Sequence, residues 1–119
     1  MTDRAPPDLR VILRIDFPET ERLGRGKMLL LEKIRETGSI SAAGRAMNMS
    51  YRRAWLLIDE TNRALKEPAV ATAAGGAKGG GSALTESGRA LISLYRQIEE
   101  TALTACKGEI KQLMKLLAA

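Results

Sequence analysis

TGSISAAGRAMNMSYRRAWLLIDETN, Thr37 to Asn62, reads as two helices joined by a tight turn. Gly38 ends the element before it. Ser39 is placed to cap a new helix, because its hydroxyl accepts a bond from a free backbone N–H. Ile40 to Met47 then carries the small residues Ala42, Ala43, Gly44 and Ala46, which let a second helix approach closely. Asn48 falls in the break and tolerates left-handed backbone angles better than most residues. Ser50 is a second N-cap. Tyr51 to Asn62 forms the second helix, with Ala54, Leu57, Ile58 and, just beyond, Leu65 at helical spacing.

This pattern leaves Tyr51, Arg52 and Arg53 in the first turn of the second helix. A helix can enter the major groove of DNA with its N-terminal residues leading, and there arginine reaches a guanine or a phosphate. Arginines normally favour a helix C-terminus, where they meet the negative end of the dipole. Two of them in a first turn run against that preference, and a nearby anion such as phosphate removes the conflict. A solvated cationic face in any α-rich domain fits the same residues.

Composition sets the limits. The chain has 119 residues, enough for one compact domain and not comfortably for two. Hydrophobic residues make up 45%, which supports a core, while aromatics at 3% argue against stacking platforms for single strands. The net charge of +5 makes polyanions plausible partners. From Leu23 to Arg53 seven basic residues (Arg25, Lys27, Lys33, Arg35, Arg45, Arg52, Arg53) face two acidic ones, Glu32 and Glu36, so the excess sits on this region. The chain has no histidine, which excludes His-based metal sites and Ser/His or Cys/His catalysis. The single cysteine, Cys106, suits a reducing cytosol and reads as a packed core thiol. MTDRAPPDLR lacks the apolar core of a signal peptide, and no apolar run is long enough to span a bilayer. Together these predict a cytoplasmic protein with no membrane partner.

The rest of the chain fits an α+β, mainly α, fold. Met1 to Asp8 reads as a mobile N-terminus. Leu9 to Phe17 alternates in part and predicts a half-buried strand stopped by Pro18, with Glu19 to Gly24 as a connector. Arg25 to Glu36 is the first helix, with Met28, Leu31 and Ile34 recurring every three residues. Pro68 closes the helix after Asn62. Val70 to Thr72 and Ser82 to Leu84 can pair as strands around AAGGAKGGG, Ala73 to Gly81. That tip bares its backbone N–H groups and holds one charge, Lys78. It reads either as the wing of a winged helix-turn-helix or as a flexible loop with no ligand. A nucleotide P-loop fails, since Lys78 is followed by Gly79 and no G-K-[ST] occurs here. Thr85 caps a long last element carrying Leu91, Leu94, Tyr95, Ile98, Ala102 and Ala105, continued past Gly108 by Ile110, Leu113, Met114 and Leu117. Gly108 either ends one helix and starts another or only weakens a long one. The stripe is longer than one small domain needs to cover, which predicts a subunit interface, with core packing as the alternative.

With these residues assembled, the chain resembles the N-terminal DNA-binding domain of the ModE family of molybdate-responsive transcription regulators, from about Leu9 to Ala102. The carriers are GSIS (Gly38 to Ser41), Ser50-Tyr51-Arg52-Arg53-Ala54-Trp55, Asn62, GGAKGGG (Gly75 to Gly81), and Leu84-Thr85 leading into Gly88, Leu91, Ile92 and Tyr95. GSIS alone also resembles the start of LysR-type helix-turn-helix segments. The resemblance implies a winged helix-turn-helix that binds double-stranded DNA as a homodimer, with no enzymatic activity and no cofactor. It places Ser39, Ser41, Ser50, Tyr51, Arg52, Arg53, Lys78, Gly79, Gly80 and Gly81 on the DNA. It places Leu13, Ile15, Leu91, Leu94, Tyr95, Ile98 and Ala102 at a dimer interface within the N-terminal strand and a C-terminal helix spanning residues 85–119. Trp55 is expected to pack the helix in place rather than touch DNA. The family's molybdate-binding domains follow this one, and no β-rich segment for them is present before Ala119, so no molybdate is expected to bind this chain alone. The competing reading is a protein–protein module that pairs with a full-length regulator through its C-terminal helix.

Overall fold

The computed structural model describes residues 11–16, 22–72 and 81–117. Its elements are β1 (Ile15–Asp16), β2 (Arg22–Leu23), α1 (Arg25–Thr37), α2 (Ile40–Ala46), α3 (Tyr51–Ala64), β3 (Val70–Thr72), β4 (Ser82–Leu84), α4 (Glu86–Ala105) and α5 (Lys107–Leu116). The architecture is α+β and mainly α. Its strands form two antiparallel pairs, β1 with β2 and β3 with β4.

The caps read from the sequence are all made. Gly38 ends α1 in the left-handed region (φ 72°), where its N–H donates to the carbonyl of Ile34 at 2.8 Å. The Ser39 hydroxyl accepts from the Ala42 N–H at 3.0 Å, and the Ser50 hydroxyl accepts from the Arg53 N–H at 3.0 Å. Between the two helices Asn48 turns the chain with φ 58°, and the Met49 N–H returns to the carbonyl of Gly44 at 2.8 Å. Gly44 is needed for the close approach: a Cβ there would stand 3.0 Å from the Cβ of Ala54 on α3.

The core lies where α1, α2 and α3 meet the base of β3 and β4. Met28, Leu30, Leu31 and Ile34 bury one face of α1, and Ala54, Leu57, Ile58 and Thr61 bury one face of α3. Thr61 is fully buried without cost to its hydroxyl, which donates to the carbonyl of Leu57 at 2.8 Å. From α4, Ile92 and Tyr95 close the core. The start of α4 is locked to the chain before β3. Thr85 accepts from the Gly88 N–H at 3.0 Å and donates to the carbonyl of Pro68 at 2.6 Å. At Gly88 a Cβ would lie 2.2 Å from the carbonyl oxygen of Ala69, so only glycine fits.

Three expectations are corrected. The predicted strand from Leu9 to Phe17 is reduced to Ile15–Asp16, because its partner is the two-residue β2 inside the supposed connector, with Ile15 opposite Leu23 and Asp16 opposite Arg22. Leu9, Arg10 and Phe17 lie outside the described residues. Cys106 is exposed rather than packed, since it sits at the junction of α4 and α5, and no residue of α5 is buried. The break in the last element falls at that cysteine, so Gly108 lies inside α5 rather than ending a helix.

The molecule is long for its size, 59 × 29 × 22 Å with a radius of gyration of 17.4 Å. A compact domain of this many residues has a radius of about 13 Å. The difference comes from the far half of α4 and from α5, which leave the core behind. Leu94, Ile98, Leu103, Leu113 and Leu116 are all exposed along them.

Candidate nucleic-acid interface

The basic excess between Leu23 and Arg53 divides into two groups. One is paired. Lys27 is buried at 8% exposure, meets Glu60 at 3.2 Å and donates to the carbonyl of Arg22 at 2.9 Å. Lys33 meets Glu36 at 3.3 Å. Both acids of the stretch are engaged elsewhere than on the remaining arginines. Glu36 holds Lys33, and Glu32 takes two bonds from Arg96 on α4, at 2.6 and 3.0 Å. Those bonds, with a further one to Glu99, raise the Arg96 pKa above its ordinary value and fix the guanidinium as a cation.

The other group, Arg25 and Arg35 on α1 with Arg45, Arg52 and Arg53, has no acid partner among the described residues. Arg52 and Arg53 occupy the first turn of α3 and are exposed, and Arg45 near the end of α2 donates only to the Ser41 hydroxyl, at 2.9 Å. Arg52 and Arg53 are cations at the positive end of a helix dipole, where a bound anion lowers their energy.

Around them the structure brings together most of the residues singled out from sequence. Ser39, Ser41, Tyr51, Gly81 and Ser82 line one depression with Trp55 and Thr72, between the starts of α2 and α3 and the β3–β4 pair. Ser50, Arg52 and Arg53 line a second, with Trp55, Leu56 and Asp59 along α3. The β3–β4 pair is held against the corner after α1 by a bond from the Ser82 N–H to the carbonyl of Gly38, 3.0 Å. Lys78, Gly79 and Gly80 lie outside the described residues.

Asn62, noted in the sequence only as a marker, has a plain mechanical role. Its Oδ1 accepts from the N–H groups of Ala69 and Val70 at 2.8 and 3.2 Å, and its Nδ2 donates to the carbonyl of Val70 at 3.3 Å. This clamp fixes β3 relative to the end of α3, and so fixes the strand pair relative to the exposed arginines. Trp55 is 37% exposed on α3, and its ring meets that of Tyr51 edge to face.

The residues expected at a dimer interface separate. Tyr95 is buried in its own chain and its hydroxyl donates to the carbonyl of Leu13; burial, then the nearby Glu99 charge, push its pKa up. Ile15 and Leu91 are half-buried against the same core. Leu94 and Ile98 are exposed, and Ala102 is half-buried.

No family model matches the chain. Curated relatives do. The chain is 42% identical over 87 residues to the molybdenum transport protein ModE of Azotobacter vinelandii, covering 73% of this chain and 32% of that protein. The chain is similar to a segment of ModE. It is also 37% identical over 97 residues to the DNA-binding transcriptional dual regulator ModE of Escherichia coli K12, covering 78% of this chain and 37% of that protein. The molybdenum-pterin-binding protein MopB of Rhodobacter capsulatus matches at 45% over 78 residues, 66% of this chain and 29% of that protein. The chain thus spans about a third of the length of the ModE and Mop relatives it matches. Among the described residues no helix is long and apolar enough to cross a membrane.

Proposed function

We propose that this chain is a ModE-type DNA-binding segment of a transcription regulator, a winged helix-turn-helix without enzymatic activity that works in the cytoplasm. On this reading α3 enters the major groove, and the segment between β3 and β4, with Lys78 and its glycines, forms the wing on the DNA backbone. The observation that carries the reading is the first turn of α3, where Arg52 and Arg53 stand exposed with no acid partner among the described residues. A helix-turn-helix reads bases with the N-terminal residues of its second helix. The similarity to a regulator whose name includes DNA binding supports the same conclusion.

Two copies paired through the exposed apolar residues of α4 and α5 complete the proposal. Their recognition helices would address half-sites about one helical turn, roughly 34–36 Å, apart. The test is a titration of a duplex selected by this chain from a random pool. Affinity is expected to fall linearly on a log–log plot against salt, with a slope of about −0.9 for each phosphate neutralised. Sedimentation at micromolar concentration is expected to show a dimer. Weak binding that ignores both sequence and salt would contradict the DNA reading. A dimer with no DNA affinity would favour a module that pairs with another regulator chain.

A further inference from the structure

The chain's single tryptophan and one of its two tyrosines are not in the core. Trp55 is 37% exposed, Leu56 beside it is 44% exposed, and Tyr51 one turn earlier is 59% exposed. The Tyr51 and Trp55 rings meet edge to face, with centroids 6.2 Å apart and planes at 75°. A lone exposed apolar side chain is ordinary, but adjoining ones form a patch that calls for a partner. Trp55 also borders both depressions described above, so its ring is the ridge between the strand pair and the arginine side of α3.

We infer that Trp55, backed by Leu56, reads the C5-methyl groups of thymines. This rests on the placement of α3 in the major groove. The base edges in that groove offer one apolar feature, the thymine methyl, and apolar side chains discriminate by contacting it. The patch shares a depression with Arg52 and Arg53, so the surface that surrounds it suits a phosphate-walled groove better than an apolar protein face. The edge contact from Tyr51 holds the indole in one orientation before binding, which lowers the entropy lost on contact. Arg52 and Arg53 then supply position and contacts to guanine or phosphate, while Trp55 supplies preference for A·T pairs carrying the methyl on one strand.

The experiment uses a duplex selected by the chain from a random pool, with each thymine replaced singly by uracil. That change removes the methyl and leaves the pairing intact. Wild type is expected to lose about four-fold in affinity at one or more thymines in each half-site, the effect of one methyl returned to water. Trp55→Ala is expected to bind more weakly and to treat thymine and uracil alike at those positions. Arg53→Ala is expected to bind more weakly while keeping the thymine preference. A second readout needs no variant: Trp55 is the only fluorophore of its kind, and its emission is expected to become shielded from acrylamide when the duplex binds. Equal affinity for every uracil duplex in wild type, a preference that survives Trp55→Ala, or an indole as open to quencher as before would overturn the inference while leaving DNA binding standing. Failure to bind any duplex in a salt-dependent way would remove the DNA reading itself.

Discussion

Two sets of cations in this chain do different work. Lys27, Lys33 and Arg96 each have carboxylate partners within 3.3 Å; Lys27 with Glu60 and Arg96 with Glu32 hold α1 to α3 and α4, while Lys33 with Glu36 pairs within α1. Arg45, Arg52 and Arg53 have none among the described residues and stand exposed at the ends of α2 and α3 that meet across the turn. Net charge alone treats the two sets alike. Their partners separate a set that holds helices together from a set open to an outside anion. The comparison therefore makes a double prediction: changes in the first set should act on stability, and changes in the second on binding.

The largest effect is expected from Glu60→Ala. It strands the Lys27 ammonium at 8% exposure with only the Arg22 carbonyl for company. Removing one partner of a buried pair costs about 3 kcal/mol or more. Urea unfolding should show that loss, while the duplex affinity of the folded fraction stays at the wild-type value. An equal loss of DNA affinity would break the separation between the two sets.

A smaller effect sharpens the contrast from the structural side. Tyr95 is neutral, buried and bonded to Leu13, and its pKa lies above the ordinary 10. Its contribution is therefore full below pH 10 and is lost as pH rises through the folded-state value, because the unfolded chain ionises first. Tyr95→Phe should cost about 1 kcal/mol at neutral pH, the usual net value of one hydrogen bond. It should also remove the alkaline part of the stability decline. Thermal melts between neutral and alkaline pH check both, and an unchanged alkaline slope would show that another group governs it.

The sequence was most legible where the physics is local. Ser39, Ser50 and Thr85 each bond an N–H three residues on, and Gly38 and Asn48 turn the chain with left-handed angles. Such contacts are written in neighbouring residues, and so is the exposure of Arg52 and Arg53 opposite the buried Ala54, Leu57 and Ile58. Non-local contacts were hidden. The partner that limits β1 to two residues is itself a two-residue segment with no alternation to reveal it. The bond between Arg96 and Glu32 joins residues 64 positions apart, and no helical spacing announces it. Cys106 was misplaced because residue type favours burial, whereas at the junction with α5 there is nothing to bury it against. Trp55 lies outside the core because the inward positions of α3 are already filled by Ala54, Leu57, Ile58 and Thr61.

The central claim is that the exposed turn of α3 is the DNA-reading surface. The most direct test compares wild type with the Arg52→Ala, Arg53→Ala double variant by fluorescence anisotropy on one selected duplex at fixed salt, with urea unfolding of both proteins alongside. Each arginine in contact with a base is expected to contribute about 1–3 kcal/mol, so the double variant should bind at least about ten-fold more weakly. Its unfolding midpoint should not fall below the wild-type value, because neither side chain has an acid partner among the described residues and their removal relieves the conflict with the helix dipole. Unchanged affinity in the folded double variant would contradict the account.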